Sequence, residues 1–149
     1  MALRFPRCIA SPAPRAPWPG PLAPPGTWAI TGAFRYAHRD PATLIGREAP
    51  VFRASWYGLG AFAPALLVEV AEIAPATVEA LARDLAAHLL GDWNAPNATS
   101  AVETAQEEIA FALSLAERPP GTILALTRQF EEQGMIERAC ILSTLPSRR

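Results

Sequence analysis

Apolar residues recur along this chain with two periods, and the changes of period mark its elements. From 99 to 121 the spacing is helical. Val102, Ala105, Ile109, Ala112, Leu113 and Ala116 form one stripe, with Phe111 and Leu115 beside it. Ser100 and Glu103 have capping-box spacing, Arg118 suits the C-terminal end of the helix dipole, and Pro119-Pro120-Gly121 stops the helix. An apolar surface this wide predicts the most buried helix, packed against by the other elements. A second long helix is expected from Pro75 to about Leu90, burying Val78, Leu81, Ala82, Leu85 and Leu89 and closed by Gly91.

Elsewhere the period falls to two. Leu3, Phe5, Arg7 and Ile9 alternate with Arg4, Pro6 and Cys8, and Pro6 confines that strand to a sheet edge. Residues 27–38 alternate Trp28, Ile30, Phe34 and Tyr36 against Ala29, Thr31, Ala33 and Arg35, with Gly32 on the aromatic face. Residues 65–73 read as a strand with Leu66, Val68 and Val70 inward and Glu69 opposite. At the end, 122–130 and 135–144 make a hairpin turned at Gly134. Asp40-Pro41 starts a helix that Gly46 interrupts. Beyond it Phe52, Trp56 and Leu59 keep helical spacing, and an alternating strand over 51–57 fits nearly as well; the helix is adopted. Together these predict an α+β fold in one domain over 1–149. It has about five mostly antiparallel strands, two long helices and one short helical segment packed on one face, and a C-terminal β-hairpin.

Composition limits the class. The 149 residues are half hydrophobic with a formal net charge of −1, as for a globular chain that is not basic enough for nucleic acid. All 13 basic residues are arginine, a coding bias expected of a G+C-rich, bacterial genome. No acid precedes Asp40. Seven of the sixteen residues in 11–26 are proline, an extended connector that fits a surface loop tied down by Trp18 or a ligand for a proline-binding domain rather than a targeting helix. No apolar run approaches the ~20 residues of a membrane span, so a cytoplasmic location is expected. The tail 146–149 should be frayed.

Candidate chemistry is sparse. Cys8, His38, His88 and Cys140 are too widely spaced to organise zinc, and no metal, cofactor or disulfide is expected; the cysteines read as small hydrophobes of terminal strands. His88 follows Asp84 by one turn, an ordinary surface pair. Arg35, His38 and Arg39 could hold an anion, although a solvated strand end explains them as well. Glu107 and Glu108 point about 100° apart on the helix, so they are no dyad. Burial would raise the pKa of either. Trp56, Tyr57 and Phe62, with Arg53 at the edge, concentrate aromatic surface near Gly58 and Gly60 and fit either core or a contact patch.

Trp28-Ala29-Ile30-Thr31-Gly32-Ala33-Phe34, Asp40-Pro41-Ala42, Glu107-Glu108-Ile109-Ala110-Phe111-Ala112 and Pro119-Pro120-Gly121-Thr122 carry a resemblance. From Trp28 onward the chain resembles a small uncharacterised bacterial family, a domain of unknown function of about this length. The Pro-rich stretch departs from that family's compact start. The resemblance brings no catalytic residues and implies an accessory role.

Two functional expectations result. The first is a non-enzymatic accessory or protein-interaction module that binds an unknown protein through Arg53, Trp56, Tyr57 and Phe62. In that case Trp56→Ala would abolish capture and leave the fold intact. The second is a small enzyme or small-molecule binder with a pocket near Trp56 and Tyr57, Arg53 as anion anchor, and Glu107 or Glu108 as acid or base.

Overall fold

The computed structural model describes residues 3–10, 21–37, 39–46 and 48–144. Most of the Pro-rich connector with Trp18, then His38 and the tail 146–149, lie outside the described residues. Among the described residues the architecture is α+β, with three α-helices and seven strands in two antiparallel sheets. That is more strands than the five expected, because two of the expected elements divide.

The larger sheet has the order β1-β5-β6-β7, formed by Leu3–Cys8, Leu67–Ile73, Thr122–Glu131 and Gly134–Thr144. Pro6 lies on β1, an edge strand, where a missing amide is tolerated. Strands β6 and β7 form the expected hairpin. Glu131 pairs with Gly134 around a two-residue turn, and Gly134 takes a φ of 120° that a side chain would resist. This turn sets the register: Leu126 faces Ala139 and Arg128 faces Glu137.

The smaller sheet, β2-β3-β4, holds Ala29–Ile30, Trp56–Gly58 and Ala63–Ala65. The long strand expected over 27–38 shrinks to two residues. Gly32 turns left-handed at φ 74°, and a 3-10 turn, Ala33–Tyr36, follows. A Cβ on Gly32 would come within 2.7 Å of the Tyr57 Cβ, so glycine allows both the turn and the close approach. The helix expected to reach Trp56 stops early. Helix α1 is Glu48–Ala54, with Pro50 in its first turn, and Trp56 belongs to β3, as the strand alternative had it. The strand expected over 65–73 breaks at Leu66 into β4 and β5.

Helices α2 (Pro75–Asp92) and α3 (Ala98–Leu115) pack on one another, and α3 also packs on β1 and β2. The α2 helix runs through Gly91 and is capped at Trp93, so Gly91 does not end it. The N-cap of α3 is Asn97, whose side chain accepts from the Ser100 amide; the Ser100–Glu103 box lies inside the helix. Ala101, Ala105, Ile109 and Ala112 of α3 are buried with Phe5, Ile30, Ile73, Leu85 and Leu89. Ala105, Ile109, Ala112 and Ala116 of the expected stripe are buried, and only at its first position does Ala101 replace Val102, which is 44% exposed. A second core joins the two sheets. In it Trp56 is 0% exposed among Cys8, Val68, Val70, Leu124 and Leu126. Both cysteines are free; Cys8 is the small buried hydrophobe expected, but Cys140 is exposed. No helix among the described residues is long and apolar enough to cross a membrane.

Burial reverses the expectation that Trp56 could be truncated harmlessly. Trp56→Ala should cost about 3–5 kcal/mol and Ile109→Ala about 2–5 kcal/mol, the usual range for large-to-small core changes. Val102→Ala should stay within about 0.5 kcal/mol. Urea denaturation of the three variants checks the ranking.

Candidate functional site

The site grows from the backbone between β2 and the 3-10 turn. At Thr31 and Gly32 the chain leaves the sheet ladder while still buried, so its amides and carbonyls need other partners. Glu108 on α3 supplies acceptors: the Gly32 amide donates to Oε1 at 3.2 Å and the Phe34 amide to Oε2 at 3.1 Å. Two guanidiniums supply donors. Arg128 of β6 donates from Nη2 to the carbonyls of Thr31 (2.7 Å) and Ser55 (3.1 Å), and from Nη1 to that of Phe52. Its Nε donates to Glu137 Oε2 at 2.9 Å, and Thr31 Oγ1 donates to Glu137 Oε1 at 3.0 Å. Arg35 reaches the same Thr31 and Ser55 carbonyls and also the Gly32 carbonyl, with its plane over the rings of Tyr36 and Tyr57.

This packing of charge perturbs the titrating groups. Burial pushes the Glu108 carboxyl from its ordinary 4.5 up to about 7; the Phe34 amide opposes the rise, the Glu137 charge adds to it, and the Gly32 amide and Arg35 oppose it. Burial brings Arg35 down to about 10, and the neighbouring Arg128 charge adds to that. Glu108 opens on a cleft of about 200 Å³ between α3 and β7, lined by Thr31, Thr104, Glu107, Glu108, Phe111 and Glu137. Three carboxyl groups therefore share one small opening with a partly exposed phenyl ring.

A second polar chain lies across α2. Asp92 Oδ2 is 2.9 Å from His88 Nδ1, and His88 Nε2 is 2.9 Å from the Tyr57 hydroxyl and 3.0 Å from the Trp93 indole nitrogen. Phe62 stacks on the imidazole with centroids 3.6 Å apart.

The residues singled out in the sequence separate into three places. Glu107 and Glu108 share the acidic cleft, Glu107 exposed and Glu108 buried. Tyr57 (6% exposed) and Phe62 meet, but around His88. Trp56 points to the other face of β3, as adjacent strand residues must, so the three aromatics form no exposed patch. Arg53 is exposed and, among the described residues, joins neither cluster. His88 pairs with Asp92 rather than Asp84, and its ring is buried while the Asp92 carboxylate stays at the surface. The Arg35–His38–Arg39 anion reading gains nothing, since Arg35 is taken up by three carbonyls and Arg39 by Glu48; His38 lies outside the described residues. Sequence reasoning missed Arg128 and Glu137. The available signal was Arg128 falling on the buried phase of β6, after Leu124 and Leu126, with Glu137 opposite in the hairpin register. Among the described residues no three of His, Cys, Asp and Glu gather as a metal-holding group.

The raised Glu108 carboxyl makes a signed prediction. The native chain keeps a proton between about pH 4.5 and 7 that the unfolded chain has lost. Stability should therefore fall as pH rises through that window and level off above it, by roughly 3 kcal/mol in all. Glu108→Gln lacks the titration. Wild type should lose about that much relative to the variant between pH 5 and 8 in urea melts; parallel curves would contradict it.

No curated protein and no solved structure matches the chain. A family model does match, over residues 20–146 of the 149, and its description is a family of unknown function, DUF6505. The chain, with its buried carboxyl on α3 held against the backbone after β2, belongs to that family.

Proposed function

We propose that the protein is a cytoplasmic accessory module that acts by binding another protein, and that its recognition point is the acidic cleft between α3 and β7 rather than the aromatic residues of β3. The observation that carries this is the convergence of Glu107, Glu108 and Glu137 with Phe111 on an opening of about 200 Å³. Pockets for drug-sized molecules are larger, about 300–1,000 Å³. An opening this small suits one side-chain head group. Carboxylates at its base and a phenyl ring at its wall match a lysine or arginine of the partner, with the aliphatic stem against Phe111. Glu137 already neutralises Arg128, so the incoming cation would be balanced by Glu107 and by an ionised Glu108.

Binding a cation favours the charged form of Glu108, and affinity should rise with pH through about 7. An array of lysine- and arginine-containing peptides, followed by calorimetry on the best binder, tests the reading. Affinity should improve several-fold, up to about tenfold, from pH 6 to pH 8. The exposed Glu107→Lys variant should lose about tenfold or more with an unchanged melt. Binding indifferent to both would overturn it.

The near-neutral Glu108 carboxyl favours a second reading, as general acid–base group for a small molecule, because catalytic groups work best with a pKa near the operating pH. That reading requires a turnover activity following a single ionisation near pH 7 and lost in Glu108→Gln.

A further inference from the structure

The hydrogen bonds around His88 fix its protonation pattern by elimination. The Trp93 indole nitrogen can only donate, and it lies 3.0 Å from His88 Nε2. Nε2 must then be the unprotonated, accepting nitrogen. The proton sits on Nδ1 and is donated to Asp92 Oδ2 at 2.9 Å. The Tyr57 hydroxyl, 2.9 Å from the same Nε2, donates as well. One lone pair thus receives two donors, and the two respond differently to a proton. The hydroxyl can turn and accept from a protonated Nε2, whereas the indole cannot reverse.

The surroundings hold this arrangement in place. The His88 side chain is 8% exposed, stacked under Phe62. Phe62 (φ 51°) is a non-glycine residue in the left-handed region, a conformation that surrounding structure must enforce, and Asn94 (φ 55°), which follows Trp93, is there too, as asparagine readily is. Trp93 is itself 40% exposed, packs edge-on against Phe34, and forms one wall of a cleft of about 300 Å³ with Arg35, Tyr36 and Val51.

We propose that His88 is a proton-controlled latch on Trp93: neutral, in its Nδ1–H form, it holds the indole, and protonation removes the acceptor and frees that cleft wall. The charged and titrating groups around it are Asp92, hydrogen-bonded to Nδ1; Asp84, exposed one turn earlier on α2; Tyr57 on β3; and Arg35, stacked over the Tyr57 ring. The indole also lies near the Tyr57 oxygen, which after protonation must accept from His88.

NMR on the full chain tests the latch, with His38→Asn used to assign the two imidazoles. Long-range proton–nitrogen spectra at pH 8 should show His88 as the Nδ1–H tautomer. Through its titration, hydrogen exchange of the Trp93 indole proton should accelerate about tenfold or more beyond the intrinsic pH effect. An Nε2–H tautomer, or an indole proton whose exchange follows only the intrinsic pH effect, would overturn the proposal.

Discussion

The guanidinium of Arg128 is the constraint around which the rest of the chain settles. Its side chain is fully buried, and a cation there is tolerated only with its donors engaged and its charge balanced. Glu137 balances the charge from the adjacent strand, and three carbonyls engage the donors. Two of these, from Phe52 and Ser55, lie at the C-terminal end of α1, where a helix leaves carbonyls without internal partners. The third, Thr31, is where β2 ends. One side chain therefore ties the hairpin to the end of a helix and to the segment that closes the small sheet. Its plane also lies over Tyr36 and Phe52, and Phe52 stacks on Phe130 of the same strand.

The acidic cleft is a consequence of that knot. With the Thr31 carbonyl turned toward Arg128 and Arg35, the amides that follow at Gly32 and Phe34 point toward α3 and need an acceptor there. Glu108 meets the need only by leaving water, which is why its carboxyl titrates near neutrality. Thr31 Oγ1 draws Glu137 to the same place. The proximity of two carboxyl groups thus follows from satisfying backbone, and the exposed Glu107 one residue away makes the opening strongly acidic. By contrast burial pushes the Cys8 thiol up to about 12, and it is inert at neutral pH.

What the sequence disclosed is what local periodicity encodes. The β6–β7 hairpin was legible because Gly134 and two alternating runs define a register by themselves. Helices α2 and α3 were legible because each carries its own apolar stripe, although Gly91 is not where α2 stops. The segment after Ile30 was not. Its aromatic alternation continues through Phe34 and Tyr36, but tertiary hydrogen bonds from residues far along the chain override it, turning Gly32 left-handed. Trp56 was misassigned for a related reason, since helical spacing to Phe52 and Leu59 and strand pleating give it opposite surroundings. Of the site, Glu108 was visible as a glutamate one turn before Phe111 on a mostly apolar helix. Its partners were invisible because each contributes a backbone atom, which no residue type announces.

The stability of Arg128→Lys tests this account most directly. Lysine keeps the charge beside Glu137 but has a single donor atom that cannot span the carbonyls of Phe52, Thr31 and Ser55. If the fork geometry organises the fold, urea denaturation should show a loss of about 2 kcal/mol or more, because the Phe52 carbonyl loses its donor and those of Thr31 and Ser55 keep only Arg35. A loss under about 0.5 kcal/mol, the size of an ordinary surface substitution, would contradict the account.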